Sequence, residues 1–123
     1  MKEIKAFVQL GKLMVSLGNN ESWKDYSLGV NETEYNELET IINKQFVLNG
    51  WFTKENVRTS LKALGELLTE YQLVNWVNNY HFNSKSNKRI GIIMAGNIPL
   101  VGFHDFISTI LSGNTAICKL SSD

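Results

Sequence analysis

A single cysteine, Cys118, occurs in the 123 residues. That scarcity excludes an internal disulfide and any cysteine-based structural zinc site, and it fits a reducing compartment. Neither sign of charge is in surplus, since twelve Lys and Arg balance twelve Asp and Glu. Nucleic-acid binders displace phosphate counterions with an excess of cations, so no nucleic-acid partner is expected. No apolar run approaches the length that spans a bilayer. Lys2 and Lys5 precede an apolar stretch, but Lys12 interrupts it and no small-residue cleavage site follows, so a signal peptide is not expected. The expected location is cytoplasmic. Internal repeats and low-complexity tracts are absent, and Gly91, Gly96 and Gly102 have the wrong spacing for a GxGxxG fingerprint.

What is present is the ordinary balance of a globular chain, 43% hydrophobic and 20% charged. The length is one domain's worth, short for a complete nucleotide-dependent enzyme. Residues 1–82 carry apolar positions at helical spacing. Ile4, Phe7, Val8, Gly11, Met14 and Val15 mark one face of a first helix, ended by Gly18. Leu10, Leu13 and Leu17 widen that stripe, which predicts contact with more than one neighbour. Asn31 with Glu34 three positions on is a capping-box variant at the start of a second helix traced by Tyr35, Leu38, Ile41, Ile42, Gln45 and Phe46. Thr53 caps a third helix with Val57, Leu61, Leu64, Leu68 and Tyr71 on one face, and a bend is expected near Tyr71 or Gln72.

Residues 83–123 follow a different pattern. After a polar loop from Phe82 to Lys88, Arg89 to Ala95 is a short continuous apolar run, expected as a strand buried on both faces of a parallel sheet. A turn from Gly96 to Pro99 leads into a helix from Leu100 to Leu111, and Thr115 to Leu120 is a second strand. The fold class expected is therefore α/β: an N-terminal helical segment followed by one βαβ unit, the start of a truncated parallel-sheet nucleotide-binding domain. A lone two-stranded sheet leaves unpaired edges, so self-association, as a homo-oligomer, is expected.

Two stretches carry candidate chemistry. Ligands of open α/β sheets meet the carboxyl ends of strands, where Ala95-Gly96-Asn97-Ile98-Pro99-Leu100 lies. Alone, this is also ordinary strand-to-helix punctuation: Gly for freedom, Asn for a cap, Pro for a helix start. Lys119, followed by Ser121 and Ser122, leaves the second strand with an ammonium and hydroxyls suited to ribose or phosphate. Alone, it is also a solvated strand end.

Taken together, the two stretches resemble a known family. Aldehyde dehydrogenases carry Pro-Trp-Asn-Phe-Pro-Leu, a helix, Gly-Asn-Thr, an apolar strand and Lys-Pro-Ser-Glu. The wording here, AGNIPLVGFHDFISTILSGNTAICKLSS, is nearer still to the LuxC-type acyl-CoA reductases of that superfamily. The resemblance is specific over Ile90 to Ser122 and vaguer before it. It implies that Asn97 is an oxyanion-hole amide and that the backbone of Ile93, Met94, Ala95 and Gly96 lines a dinucleotide. It also implies that Lys119, Ser121 and Ser122 meet the adenosine ribose or its 2′-phosphate. Gly96 replaces the family's aromatic residue and Leu120 its proline. Ser122 stands where a glutamate commonly grips the ribose, which favours NADPH because a carboxylate would repel a 2′-phosphate.

The implied reaction is reduction of a fatty acyl-CoA to its aldehyde through a cysteine acyl-enzyme. The family's nucleophile lies far downstream of these motifs, so the chain alone is expected to be inactive. Cys118, between Ile117 and Lys119, is expected to be a small buried hydrophobe. An oxidative aldehyde dehydrogenase and a non-enzymatic helical interaction module are the alternatives. His104-Asp105 is expected as a helix-surface pair rather than a metal site, and Trp23, Trp51 and Trp76 as core or interface residues.

Overall fold

Helix α1, Lys2–Gly18, buries two stripes. Ile4, Phe7 and Met14 face one hydrophobic cluster, with Leu68, Leu73, Ile107 and Leu111. Leu13 and Leu17 face another, with Leu28, Tyr35, Ile42 and Val57. The widened stripe in the sequence is thus a helix with neighbours on two sides. The computed structural model describes residues 1–82 and 87–121. It is mainly helical, with five α-helices and one small parallel sheet among the described residues.

After a single 3₁₀ turn at Tyr26–Leu28, Asn31 opens α2, Glu32–Leu48. Its Oδ1 accepts from the Glu34 amide at 2.8 Å and the Glu34 carboxylate accepts from the Asn31 amide at 3.3 Å, the reciprocal cap anticipated from the spacing. Only Tyr35 and Ile42 of α2 are buried; Ile41 and Phe46, expected on the same face, lie outside. Thr53 caps α3, Lys54–Leu67. The bend falls earlier than expected, because Thr69 Oγ1 accepts from the Gln72 amide and starts a separate helix α4, Glu70–Val77.

α1 and α3 cross at close range. A Cβ on Gly65 would stand 2.9 Å from the Gly11 carbonyl oxygen, and one on Gly11 would stand 2.6 Å from Leu68 Cβ. Arg58 of α3 then ties three helices together, donating to the Leu17 carbonyl at the end of α1 and to the Glu39 carboxylate of α2. Among the described residues, no helix is long and apolar enough to cross a membrane.

Tyr35 is the most buried side chain, 1% exposed. Its hydroxyl donates to the Glu21 carbonyl at 2.7 Å and, with that proton committed, accepts from Ser16 Oγ at 2.9 Å. Burial pushes the phenol above its ordinary value. The folded chain therefore holds Tyr35 neutral where the unfolded chain begins to ionise. Its contribution is full below the ordinary tyrosine value and is lost as pH rises through the raised one. Tyr35→Phe should cost about 1–3 kcal/mol at neutral pH, from the two orphaned partners, and should flatten the alkaline loss of stability. Urea midpoints at neutral and alkaline pH check both.

β1, Arg89–Ile93, and β2, Thr115–Lys119, pair in parallel, with Gly91 opposite Ile117 and Ile93 opposite Lys119. Helix α5, Phe103–Leu111, connects them. The order and parallel pairing agree with the sequence pattern, but three details do not. β1 is not buried on both faces: Ile92 is buried while Ile93 is 87% exposed. The physical reason is that α5 covers only the Ile92 face, and no described residue lies near where a Gly91 Cβ would stand on the other. Cys118 is exposed rather than buried. α5 starts at Phe103, not Leu100, because Leu100 adopts φ +60°, a left-handed backbone that no α-helix continues through. Pro99 consequently sits in the turn, outside the first helical turn.

Candidate functional site

The two strands end side by side, which brings the two candidate stretches to one edge of the sheet. Past β1 the ladder continues for one more bond, Met94 N–H to the Lys119 carbonyl at 3.0 Å. The Met94 side chain then turns inward onto Gly102, where a Cβ would come 2.6 Å from Met94 Cγ. Ile93 and Lys119 are partners in register and share the uncovered face of the sheet. Lys119 is exposed, with Nζ on the Leu120 carbonyl at 2.9 Å.

Gly96 is the tightest point. A Cβ on it would overlap Ser121 Oγ, and Ser121 Cβ would be 3.0 Å away. Ser121 therefore fills the space that any side chain at position 96 would need. Opposite Ser121, the Gly96 carbonyl accepts from Asn49 Nδ2 at 2.7 Å. Asn49 is 7% exposed, and its Oδ1 accepts from the Trp51 amide at 3.0 Å. Asn97 follows, exposed at the bend with Ala95 on its other side also exposed. Beyond it, Pro99 and Leu100 border an apolar cleft of about 290 Å³ against Leu17, Leu38, Phe52 and Leu61. Ser122 lies outside the described residues, as does the centre of the loop from Phe82 to Lys88.

No family model, curated protein or solved structure matches this chain. The functional reading therefore rests on residues and their placement. Gly96, Ser121, Lys119 and the Asn97 turn share one carboxyl edge, as a ligand site at that edge requires.

Asn49 is the residue that the sequence does not reveal. Followed by Gly50, it has the appearance of a helix stop, and a bond spanning 47 positions leaves no local signal. The remaining candidates fall elsewhere. The His104 ring lies against Trp76, centroids 5.5 Å apart, and Asp105 is exposed beside it, a surface pair with one member on a neighbour. Trp23 is half-buried and donates to the Val30 carbonyl, whereas Trp51 is 65% exposed and belongs to no core.

Proposed function

We propose that this chain supplies the oxyanion-hole amide and part of the cofactor cleft of an NADPH-dependent fatty acyl-CoA reductase similar to the LuxC type. The observation that carries the reading is the shared carboxyl edge, where Gly96 touches Ser121 with Asn97 and Lys119 flanking them. The balanced reaction is acyl-CoA with NADPH and a proton giving aldehyde, CoA and NADP⁺. In it the Asn97 side-chain amide donates to the oxygen of the thioester carbonyl as it gains charge, which lowers the barrier because a fixed donor meets charge present only in the transition state. Lys119 pairs with the 2′-phosphate of the dinucleotide, and the backbone of Ile93 to Gly96 lines it.

The residues present fit that cofactor. The Lys119 ammonium is exposed on the open face of the sheet, and the next two residues, Leu120 and Ser121, bring no carboxylate against a phosphate. Bound NADPH supplies the hydride. The deciding experiment measures NADPH oxidation by the enzyme that contains this chain. Consumption should depend on acyl-CoA and match free CoA thiol one for one; no acyl-CoA-dependent oxidation at any acyl length would end the reading.

Two expected outcomes follow from the geometry. Lys119→Ala should weaken NADPH binding about tenfold or more, the scale of one charged hydrogen bond, with NADH binding unchanged; fluorescence titration of both cofactors checks it. The chain by itself should show no turnover of acyl-CoA with NADPH. Cys118 is the penultimate residue of β2, opposite Ile92, and the resemblance puts the family's nucleophile downstream of these motifs, not at this position. Turnover that vanished in Cys118→Ser would contradict this placement of the chemistry.

A further inference from the structure

Three polar side chains are buried among the described residues: Ser16, Asn49 and Thr109. Ser16 is used by Tyr35, and Thr109 donates to the Asp105 carbonyl of its own helix. Asn49 differs, because it reaches out of the α2–α3 connection into the turn after β1. Burying an amide is unfavourable unless both ends find partners, and both do. Since the Trp51 amide donates to Oδ1, the side chain can present only its Nδ2 donor to Gly96.

The accepting atom is what gives this bond a purpose. The Gly96 carbonyl belongs to the same peptide unit as the Asn97 amide, and that unit is planar and trans. Holding the oxygen therefore fixes the plane from which the Asn97 Cα departs. Ser121 packs against the Gly96 Cα from another side, so the peptide is gripped at two places. The anchor is itself fixed, since the Asn49 carbonyl accepts from the Phe52 amide at 2.9 Å and its amide donates to the Gln45 carbonyl at 2.8 Å.

We infer that Asn49 is a positioning residue, which orients Asn97 by clamping the Gly96–Asn97 peptide; this rests on the reading of Asn97 as the oxyanion donor. Asn49→Asp keeps the acceptor for Trp51 and replaces the donor facing Gly96 with an oxygen. Asn49→Ala, which cannot donate in any protonation state, is the second variant. In the full chain, amide hydrogen exchange is followed at Met94 and Phe103, whose bonds flank the turn, and at Val57 in α3.

Both variants should speed exchange at Met94 and Phe103 about tenfold, the loss of one hydrogen bond's hold, and leave Val57 unchanged. In the enzyme, kcat should fall about tenfold on the same grounds. On an Asn97→Ala background, the same substitutions should lower kcat no further, a result that a purely structural role would not give. Exchange that is unchanged, or that rises equally at Val57, overturns the inference, as do additive kcat effects. An enzyme inactive toward every acyl-CoA overturns the reductase reading and the catalytic role with it. The exchange data need no turnover and then show separately whether the clamp exists.

Discussion

Asn97→Ala should lower kcat of the proposed acyl-CoA reductase by roughly 10²–10³-fold, the usual cost of one lost oxyanion donor, while NADPH affinity stays nearly constant. The split follows from position. Asn97 is exposed at the bend beyond the strand end, whereas Lys119, the residue proposed to pair with the dinucleotide phosphate, lies on the open face of the sheet. An interaction made only as the thioester oxygen gains charge is absent from the ground state, so its removal leaves binding alone. Single-turnover rates with a saturating acyl-CoA separate the chemical step from product release. A variant with wild-type kcat would remove Asn97 from the mechanism, and a variant that lost NADPH affinity equally would make it a cofactor ligand instead.

The largest effect on stability is expected from Gly65→Val, about 3 kcal/mol, at the upper end of ordinary overpacking. Added atoms at this position meet the Gly11 carbonyl oxygen and Val15 Cγ2, each 2.9 Å from a bare Cβ, with Met14 Cβ at 3.0 Å. The first of these is backbone of the opposing helix and moves only if α1 and α3 part. Parting them opens the clusters on both sides of α1. Against a total stability of about 5–15 kcal/mol for a domain, such a loss is severe. Gly65→Ala is the sharper comparison, because alanine favours a helix interior by about 0.5–1 kcal/mol over glycine and should still destabilise here. Gly50→Ala is the control, since a Cβ there meets nothing within 4 Å. Urea midpoints order the three variants; a Gly65→Val chain as stable as the parent would mean that the helices do not cross this closely.

Much of this fold is legible in the sequence where one local interaction decides. Asn31 and Glu34 announce a helix start because both halves of the cap lie within four residues. Thr53 does the same for α3, and the strand, helix and strand after Lys88 appear in the expected order. The misses occur where a second, non-local fact decides. Leu64, Leu68 and Tyr71 continue a helical stripe through Thr69, so the periodicity hides the hydroxyl that caps a new helix there. A continuous apolar run such as Arg89 to Ala95 has one pattern whether its faces are covered or open, and here one face is open. Leu100 carries no sign of its left-handed backbone, which costs α5 three residues. Of the candidate site, the meeting of Gly96 with Ser121 follows from reading two strand ends as neighbours. Asn49 does not, since long-range hydrogen bonds are set by packing and not by spacing.

The two stripes of α1 have a thermodynamic consequence. One cluster holds α4 and α5 against Ile4, Phe7 and Met14 of this helix, the other holds α2 and α3 against Leu13 and Leu17, and α1 is the column common to both. Loosening either cluster therefore exposes a helix that the other still needs, so partial melting is unfavourable for both. Such a chain unfolds as one unit, without a stage in which the sheet and α5 are free while the α2–α3 hairpin stays native. Trp76 borders the first cluster and Trp23 the second, so the two indoles report a single midpoint, and the strand ends that carry Gly96 and Ser121 persist for as long as the helices beneath them do.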